Sequence, residues 1–172
     1  MILSRLFRKQ ESPARPLYEA IVAAARHPVP YASWQVPDTV QGRFDMIILH
    51  LFLVLGRLKG EDDALAQTLV DDFFADMDRS LREMGVADIS VGKKVRKMAE
   101  ATYGRLLAYE KAADAGAAEL AAAIARNLFP DGGGEQGSVR VAAYSLSERT
   151  RLKDVQLPLL RAGKPGFSEP MP

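Results

Sequence analysis

The chain has 172 residues, 48% of them hydrophobic, and its 23 basic and 22 acidic side chains leave a formal net charge of +1. This length and composition suit one folded domain and exclude wholesale disorder, while the near-neutral charge requires that any attraction to nucleic acid or membrane come from local clusters. The sequence contains no cysteine, which excludes disulfides, thiolate metal sites, iron–sulfur ligation and a cysteine nucleophile.

The first twelve residues are amphipathic. Apolar side chains fall on one helical face with basic side chains beside them, a pattern typical of a short helix that lies in a membrane interface. The segment is too short and too interrupted by arginine for a signal peptide or a spanning helix. We predict membrane contact through Ile2, Leu3, Arg5, Leu6, Phe7 and Arg8. The alternative is a frayed terminus that contacts nothing.

Apolar residues recur every three or four positions through most of the chain, and alternation with a period of two is nearly absent, so the predicted fold is all-α. We expect one compact helical domain of about six helices over residues 13–160, followed by a proline-rich, disordered tail over residues 161–172. The predicted helices cover approximately residues 13–26, 39–59, 62–84, 90–109, 117–128 and 138–152.

The second predicted helix is apolar nearly all round between Ile47 and Leu55, which predicts a central position in the domain. The third carries Phe73 and Met77 on one apolar stripe. We expect these two side chains to press on the central helix near Leu51 and Leu55.

Other packing expectations concern the loops and the later helices. Prolines should keep residues 27–41 free of helix, while Trp34 packs against the body. Gly104 weakens the helix that contains it, so we expect a close helix approach there as compensation. The last helix should pack through Val139, Ala142, Ala143 and Leu146.

The sequence contains few residues arranged for catalysis. Its two histidines are His27 and His50, and neither stands three residues after a glutamate, as a di-metal helix bundle would require. Nucleophile elbows, phosphate-binding loops and dinucleotide fingerprints are absent from the sequence. We therefore predict no catalytic residue, no metal and no cofactor. We interpret His50, which lies in an apolar helix, as a hydrogen-bonded core residue rather than a ligand or general base.

Lys93, Lys94, Arg96 and Lys97 form a dense basic cluster without interleaved aromatic residues for base stacking. This density is typical of a contact with RNA or phospholipid. The alternative is a solvated helix face on which the cations pair with acidic residues of the preceding helix.

Two stretches resemble a known family. The runs VPDTVQGRFDMIILHLFLVLGRLKG, residues 36–60, and FFADMDRSLREMGVADISVGKKVRKMAEATYGRLLAYEKA, residues 73–112, are similar to the ubiquinol-cytochrome c chaperone family of assembly factors for the cytochrome bc complex. The resemblance covers approximately residues 18–112. Its most specific segments are DMDRSLREMGV and VGKKVRKM.

The resemblance implies a non-enzymatic chaperone that binds newly made cytochrome b and supports assembly of the ubiquinol-cytochrome c reductase. It also implies a ribosome contact, no DNA partner, and a bacterial protein of the cytoplasm that is peripheral to the inner membrane. Candidates for binding the client or a partner are Asp76, Asp78, Arg79, Arg82, Glu83, Lys93, Lys94, Lys97 and Arg105. Motif residues expected to be structural are Asp38, Gly42, Arg43, Asp45, His50, Gly85, Asp88, Tyr103 and Gly104.

We further expect buried or half-buried ion pairs that fix the loops, with Arg43 and Asp45 at the central helix and Arg82 and Asp88 near the next turn. Two other functions stay open at this point. One is an RNA- or ribosome-binding module that uses the basic helix at residues 93–97. The other is a small-molecule enzyme with a pocket under residues 31–36.

Overall fold

A computed structural model describes residues 12–172, so the membrane contacts predicted from Ile2 to Arg8 lie outside the described residues. Between residues 12 and 172 the chain forms eight helices and no strand, which confirms the predicted all-α fold. The helices are α1 (Arg15–Ala25), α2 (Pro28–Ser33), α3 (Val40–Leu58), α4 (Asp63–Glu83), α5 (Asp88–Ala115), α6 (Ala117–Leu128), α7 (Glu135–Lys153) and α8 (Leu157–Arg161).

Helix α3 is the centre of the domain, as its apolar sequence predicts. It contacts α1, α4, α5, α6 and α7, and it buries side chains on all of its sides. Thr39 caps its first turn, because the threonine hydroxyl accepts a hydrogen bond from the Gly42 N–H at 3.0 Å. Gly42 has no space for a side chain, since a Cβ there would lie 2.0 Å from the carbonyl oxygen of Pro37. A side chain at position 42 would therefore clash with the backbone of Pro37.

The segment before α3 contains a short helix, although its prolines were expected to exclude one. Pro28 and Pro30 both lie in the first turn of α2, where N–H groups have no intrahelical partner and proline costs no hydrogen bond. His27 precedes this helix, and its Nδ1 accepts a hydrogen bond from the Val29 N–H at 3.3 Å. Trp34, which follows the helix, is buried as predicted.

The C-terminal segment differs most from expectation. Residues 161–172 lie against the body of the domain, whereas the sequence predicts a disordered tail. The indole Nε1 of Trp34 donates a hydrogen bond to the carbonyl oxygen of Met171 at 2.9 Å, and the backbone N–H of Ser168 donates to the buried carboxylate of Glu148 at 3.3 Å. Both partners are distant in sequence, so the proline density of the tail could not reveal them.

Helix α7 turns a different face to the core from the predicted one. Val139 and Ala143 are exposed, whereas Ala142 is buried as expected and Ser145 is buried beside it. The Ser145 hydroxyl donates a hydrogen bond to the carbonyl oxygen of Val141 at 2.7 Å. Because a carbonyl of the same helix satisfies this hydroxyl, a polar residue can occupy the core, and a hydrophobic pattern cannot show that.

The close helix approach predicted at Gly104 is wrong. Gly104 is exposed, and a Cβ placed on it would meet no atom within 4 Å. Gly104 therefore lowers the stability of its helix, and no packing contact at that position compensates for the loss.

Candidate functional site

Residues 76–86, which carry the most specific part of the resemblance, form one wall of an apolar groove. This methionine groove lies between α1, α3, α4 and α5 and has a volume of about 280 Å³. Methionine side chains are flexible and polarisable, so such a groove can adapt to apolar groups of different shape. Its lining includes Tyr18, Phe44, Ile47, Phe73, Met77, Leu81, Met84 and Met98.

Charged residues surround the methionine groove, and several are held by partners within the domain. Asp76 accepts a hydrogen bond from the Tyr18 hydroxyl at 2.9 Å and pairs with Arg79 at 3.3 Å. Burial and the contact with Asp76 raise the pKa of the Tyr18 phenol well above its usual value. Arg43 pairs with Asp38 at 2.7 Å in an exposed contact at the start of α3. These contacts fix the charges at the edge of the groove.

The end of α4 is organised by Arg82. Its guanidinium pairs with Asp78 at 2.7 Å and with Asp88 across the turn. The expected pair of Arg82 and Asp88 therefore forms, but it is exposed rather than buried. Gly85 closes the helix with a φ of 81°, the left-handed conformation that favours glycine after a helix. Glu83 is exposed at the same end.

The buried ion pair of the central helix joins Asp45 to Arg105 of α5 at 3.4 Å and does not involve Arg43. Asp45 also accepts a hydrogen bond from the Gln41 amide at 3.0 Å. Burial raises the pKa of the Asp45 carboxyl, although the hydrogen bond from Gln41 and the charge of Arg105 oppose this. Arg105 thus tethers α5 to α3 and is not part of an open binding surface.

The three lysines of the basic cluster lie apart from the groove charges. Lys93, Lys94 and Lys97 are exposed on α5, and none of them forms an ion pair with a residue between 12 and 172. The expected alternative, in which they pair with the acidic residues of α4, is not observed. The structure therefore divides the predicted client-binding residues into Asp76 at the groove, the other charges of α4 outside the groove lining, the outward lysines of α5 and the inward Arg105.

A second apolar groove, the α3–α5 groove, runs along the C-terminal half of α3 and has a volume of about 460 Å³. Tyr103 and Leu107 line it from α5, and Leu107 is 67% exposed. Tyr103 was expected to be structural, but its ring is partly open on this groove. Leu107 was missed, and the signal that could have found it is an apolar residue on an otherwise polar helix face.

His50 is a core residue, as the sequence predicts. Its Nδ1 lies 2.8 Å from the carbonyl oxygen of Met46 and its Nε2 lies 3.1 Å from the Tyr144 hydroxyl. Because a carbonyl only accepts, Nδ1 carries the proton and donates to Met46, while Nε2 accepts from Tyr144. Burial lowers the pKa of the imidazole to about 4, although the nearby Glu148 carboxylate favours protonation.

We expect His50 to make the stability of the domain pH-dependent. An unfolded histidine titrates near pH ~6.5, so as the pH falls the unfolded state binds the proton first and the free energy of unfolding decreases, until the folded pKa near 4 is reached. Urea denaturation of the parent and a His50→Gln variant measures this. The stability difference between them should shrink by about 2–3 kcal/mol between about pH 7 and pH 4.5. A difference that stays constant over this range would contradict a neutral buried imidazole.

Among residues 12–172, no three histidine, aspartate or glutamate side chains converge where a metal ion could bind. In the same part of the chain, no helix combines the length and the apolar character needed to cross a bilayer.

Comparison with known proteins now identifies the family. Residues 32–167 match the family model described as Ubiquinol-cytochrome C chaperone. The chain belongs to this family. Among solved structures, it is similar to the crystal structure of the Cbp3 homolog from Brucella abortus, with 43% sequence identity and a TM-score of 0.82 over 98% of this chain and 97% of that chain. Comparison with curated proteins gives no significant match.

The match to the ubiquinol-cytochrome C chaperone family confirms the resemblance of residues 36–60 and 73–112 and extends it to residue 167. The matched region contains the α3 and α4 walls of the methionine groove and the lysines of α5. Family membership therefore supports a role as an assembly chaperone of the cytochrome bc complex, and only the α1 wall of the groove, with Tyr18, lies outside the matched region.

Proposed function

We propose that this chain binds newly made cytochrome b in the methionine groove and holds it for assembly of the bc complex, without catalysing a reaction. The observation that carries the proposal is the position of the motif segment. Met77, Leu81 and Met84 all belong to residues 76–86, and all three line the groove.

The groove chemistry suits an apolar segment of a membrane-protein client. Apolar contacts are non-directional, so they can hold a chain that has not yet acquired its final structure. Met84 and Met98 add side chains that can change shape with the client. A groove of this kind provides affinity without requiring one fixed geometry of the bound segment.

The charged rim supplies orientation. Asp76 of α4 and Arg43 of α3 line the groove and place both signs of charge at its edge. Charges of mixed sign at the edge of an interface contribute to specificity and register more than to affinity. Asp76 is engaged by the Tyr18 hydroxyl and by Arg79, which favours a scaffolding role over proton transfer.

We place the protein in the cytoplasm of a bacterium, peripheral to the inner membrane, because its client is a membrane protein. The predicted contacts of Ile2 to Arg8 with that membrane are part of the proposal. A ribosome contact through the lysines of α5 belongs to the alternative function, in which the chain binds RNA. The alternative of a general RNA-binding module has less support, because no aromatic residue occurs between residues 86 and 102 to stack on a base.

The experiment is retention of cytochrome b by the affinity-tagged full chain in detergent-solubilised membranes. We expect Met84→Asp to reduce retention about tenfold or more, because a carboxylate at the groove resists burial against an apolar client. Met84 is 60% exposed, so the variant should keep the thermal midpoint of the parent. In a strain lacking the gene, the same variant should restore less bc complex than the parent does.

Leu107→Asp is the matched control. It places the same charge on a side chain that is 67% exposed, but in the α3–α5 groove. We expect this variant to retain cytochrome b like the parent. If Leu107→Asp loses cytochrome b while Met84→Asp retains it fully, the client binds in the α3–α5 groove and not in the methionine groove. A parent chain that retains no cytochrome b, together with a normal bc-complex level in the deletion strain, would refute the proposed function itself.

A further inference from the structure

The turn between α4 and α5 ends in an exposed apolar tip. Ile89, in the first turn of α5, is 95% exposed. Met84, at the start of the turn formed by residues 84–87, is 60% exposed. Ile89 lines neither the methionine groove nor the α3–α5 groove. Its side chain therefore serves no packing purpose within the described chain, and it extends into solvent beside the basic cluster.

Three of the four cations of the basic cluster lie on the same outward face as Ile89, and the fourth, Lys94, is exposed at the edge of that face. At helical spacing, Lys93, Arg96 and Lys97 follow Ile89 along one side of α5, opposite the buried Val91. The segment from residue 82 to residue 97 contains five basic and two acidic residues. The acidic Asp88 is already paired with Arg82 across the turn, so it does not neutralise the lysines. The tip thus combines an exposed aliphatic side chain with uncompensated positive charge.

We propose that this tip, formed by Ile89 and the cations of residues 93–97, docks on an anionic lipid surface. Aliphatic side chains flanked by lysine and arginine suit the boundary between lipid headgroups and acyl chains, where the apolar group is buried and the cations meet lipid phosphates. RNA fits less well because the tip offers no ring for base stacking. The proposal does not rest on client binding, because Ile89 and the cations of residues 93–97 line neither groove.

One consequence concerns the methionine groove. Met84 lines that groove and lies in the turn that directly precedes the tip. Docking of the tip therefore brings one end of the groove to the lipid surface. A client segment that leaves the bilayer would meet the groove at that point.

The test is flotation of the full chain with vesicles of phosphatidylcholine alone or of phosphatidylcholine with phosphatidylglycerol. We expect binding only to the vesicles that contain phosphatidylglycerol. Combined Lys93→Gln, Lys94→Gln and Lys97→Gln should lower the partition coefficient on the order of a hundredfold, since each lysine near such a surface contributes about fivefold. Ile89→Asp should lower it by about tenfold or more. Both variants should keep the circular dichroism spectrum and thermal midpoint of the parent.

Two control variants test whether binding depends on the tip itself rather than on net charge or on any exposed apolar side chain. Combined Lys111→Gln, Lys153→Gln and Lys164→Gln changes the net charge equally at exposed lysines outside the tip, and Val139→Asp changes an exposed apolar residue of α7. We expect both control variants to bind anionic vesicles with a partition coefficient within about threefold of that of the parent. Charges far from the lipid surface are largely screened by salt and contribute only weak attraction. A second full-chain background with Leu6→Asp and Phe7→Asp reduces the predicted contribution of the N-terminal segment, and the fold-changes at the tip should be the same in it.

The proposal is overturned if the tip variants partition like the parent in both backgrounds, or if the lysine control loses binding as strongly as the tip lysine variant. Titration with a single-stranded RNA of mixed sequence tests the alternative that the basic cluster binds nucleic acid. If the tip lysine variant loses RNA binding while its vesicle partitioning is unchanged, the basic cluster recognises nucleic acid and the lipid proposal is wrong.

Discussion

Replacing Phe73 by alanine should reduce the free energy of unfolding by about 3–5 kcal/mol, because the change removes a buried aromatic ring and leaves a cavity. The Phe73 side chain is buried in the core. Its ring stacks on Phe44 of α3 with 5.7 Å between the centroids and meets Phe74 edge-on at 5.1 Å. The stacked contact with α3 lies at Phe44, and the expected contact with Leu51 and Leu55 stays a prediction.

A loss of this size is a large part of the about 5–15 kcal/mol that stabilises an ordinary domain. Chemical denaturation of the full chain should therefore show a much lower midpoint for Phe73→Ala than for the parent. Met84→Ala on the same helix is the control, since Met84 is mostly exposed and its truncation should change stability by at most about 0.5 kcal/mol. Equal midpoints for Phe73→Ala and the parent would show that this face of α4 does not contribute to the core.

The second large effect is expected at Glu148, which is 0% exposed in the C-terminal half of α7. Its carboxylate pairs with Arg151 at 2.7 Å and accepts hydrogen bonds from the backbone N–H and hydroxyl of Ser168. Arg151 in turn donates to the carbonyl oxygen of Pro165 at 3.0 Å. One buried charge thus connects α7 to the C-terminal segment at two points.

Glu148→Ala should lower the free energy of unfolding by about 2–4 kcal/mol, because it leaves the guanidinium of Arg151 and the donors of Ser168 without their acceptor. It should also release the C-terminal segment. Hydrogen exchange at Ser168 should accelerate, and the fluorescence of Trp34 should report greater solvent exposure, since the indole donates to Met171 of the same segment. Trp34 is the only tryptophan of the chain, so the signal is unambiguous.

Arg149→Ala on the same helix provides the comparison for Glu148→Ala. Arg149 pairs with Asp114 at 2.5 Å in a largely exposed contact, so its removal should cost at most about 1 kcal/mol and leave the Trp34 signal unchanged. If Glu148→Ala were no more destabilising than Arg149→Ala, the buried carboxylate would not hold the C-terminal segment.

The sequence by itself determined the helical class and the element at the centre. Repetition of apolar residues at three and four positions follows directly from helix geometry, so the elements could be placed along the chain. The segment from Ile47 to Leu55 is apolar nearly all round, and such a helix can only be stable when neighbours cover it on every side. The motif segments at residues 76–86 and 91–98 also identified the family, because they specify residue types position by position.

Other features depended on partners far apart in the chain, and only the tertiary structure decided them. A short proline-rich tail looks disordered until Glu148 and Trp34 supply acceptors and donors for it. Asp45 has Arg43 close by in sequence, yet its partner is Arg105, since α5 packs on α3 and brings that guanidinium to the buried carboxylate. The methionine groove likewise exists only where α1, α3, α4 and α5 meet. Local periodicity shows which face of a helix is apolar, but the packing of the helices determines what that face meets and where it stays open to a partner.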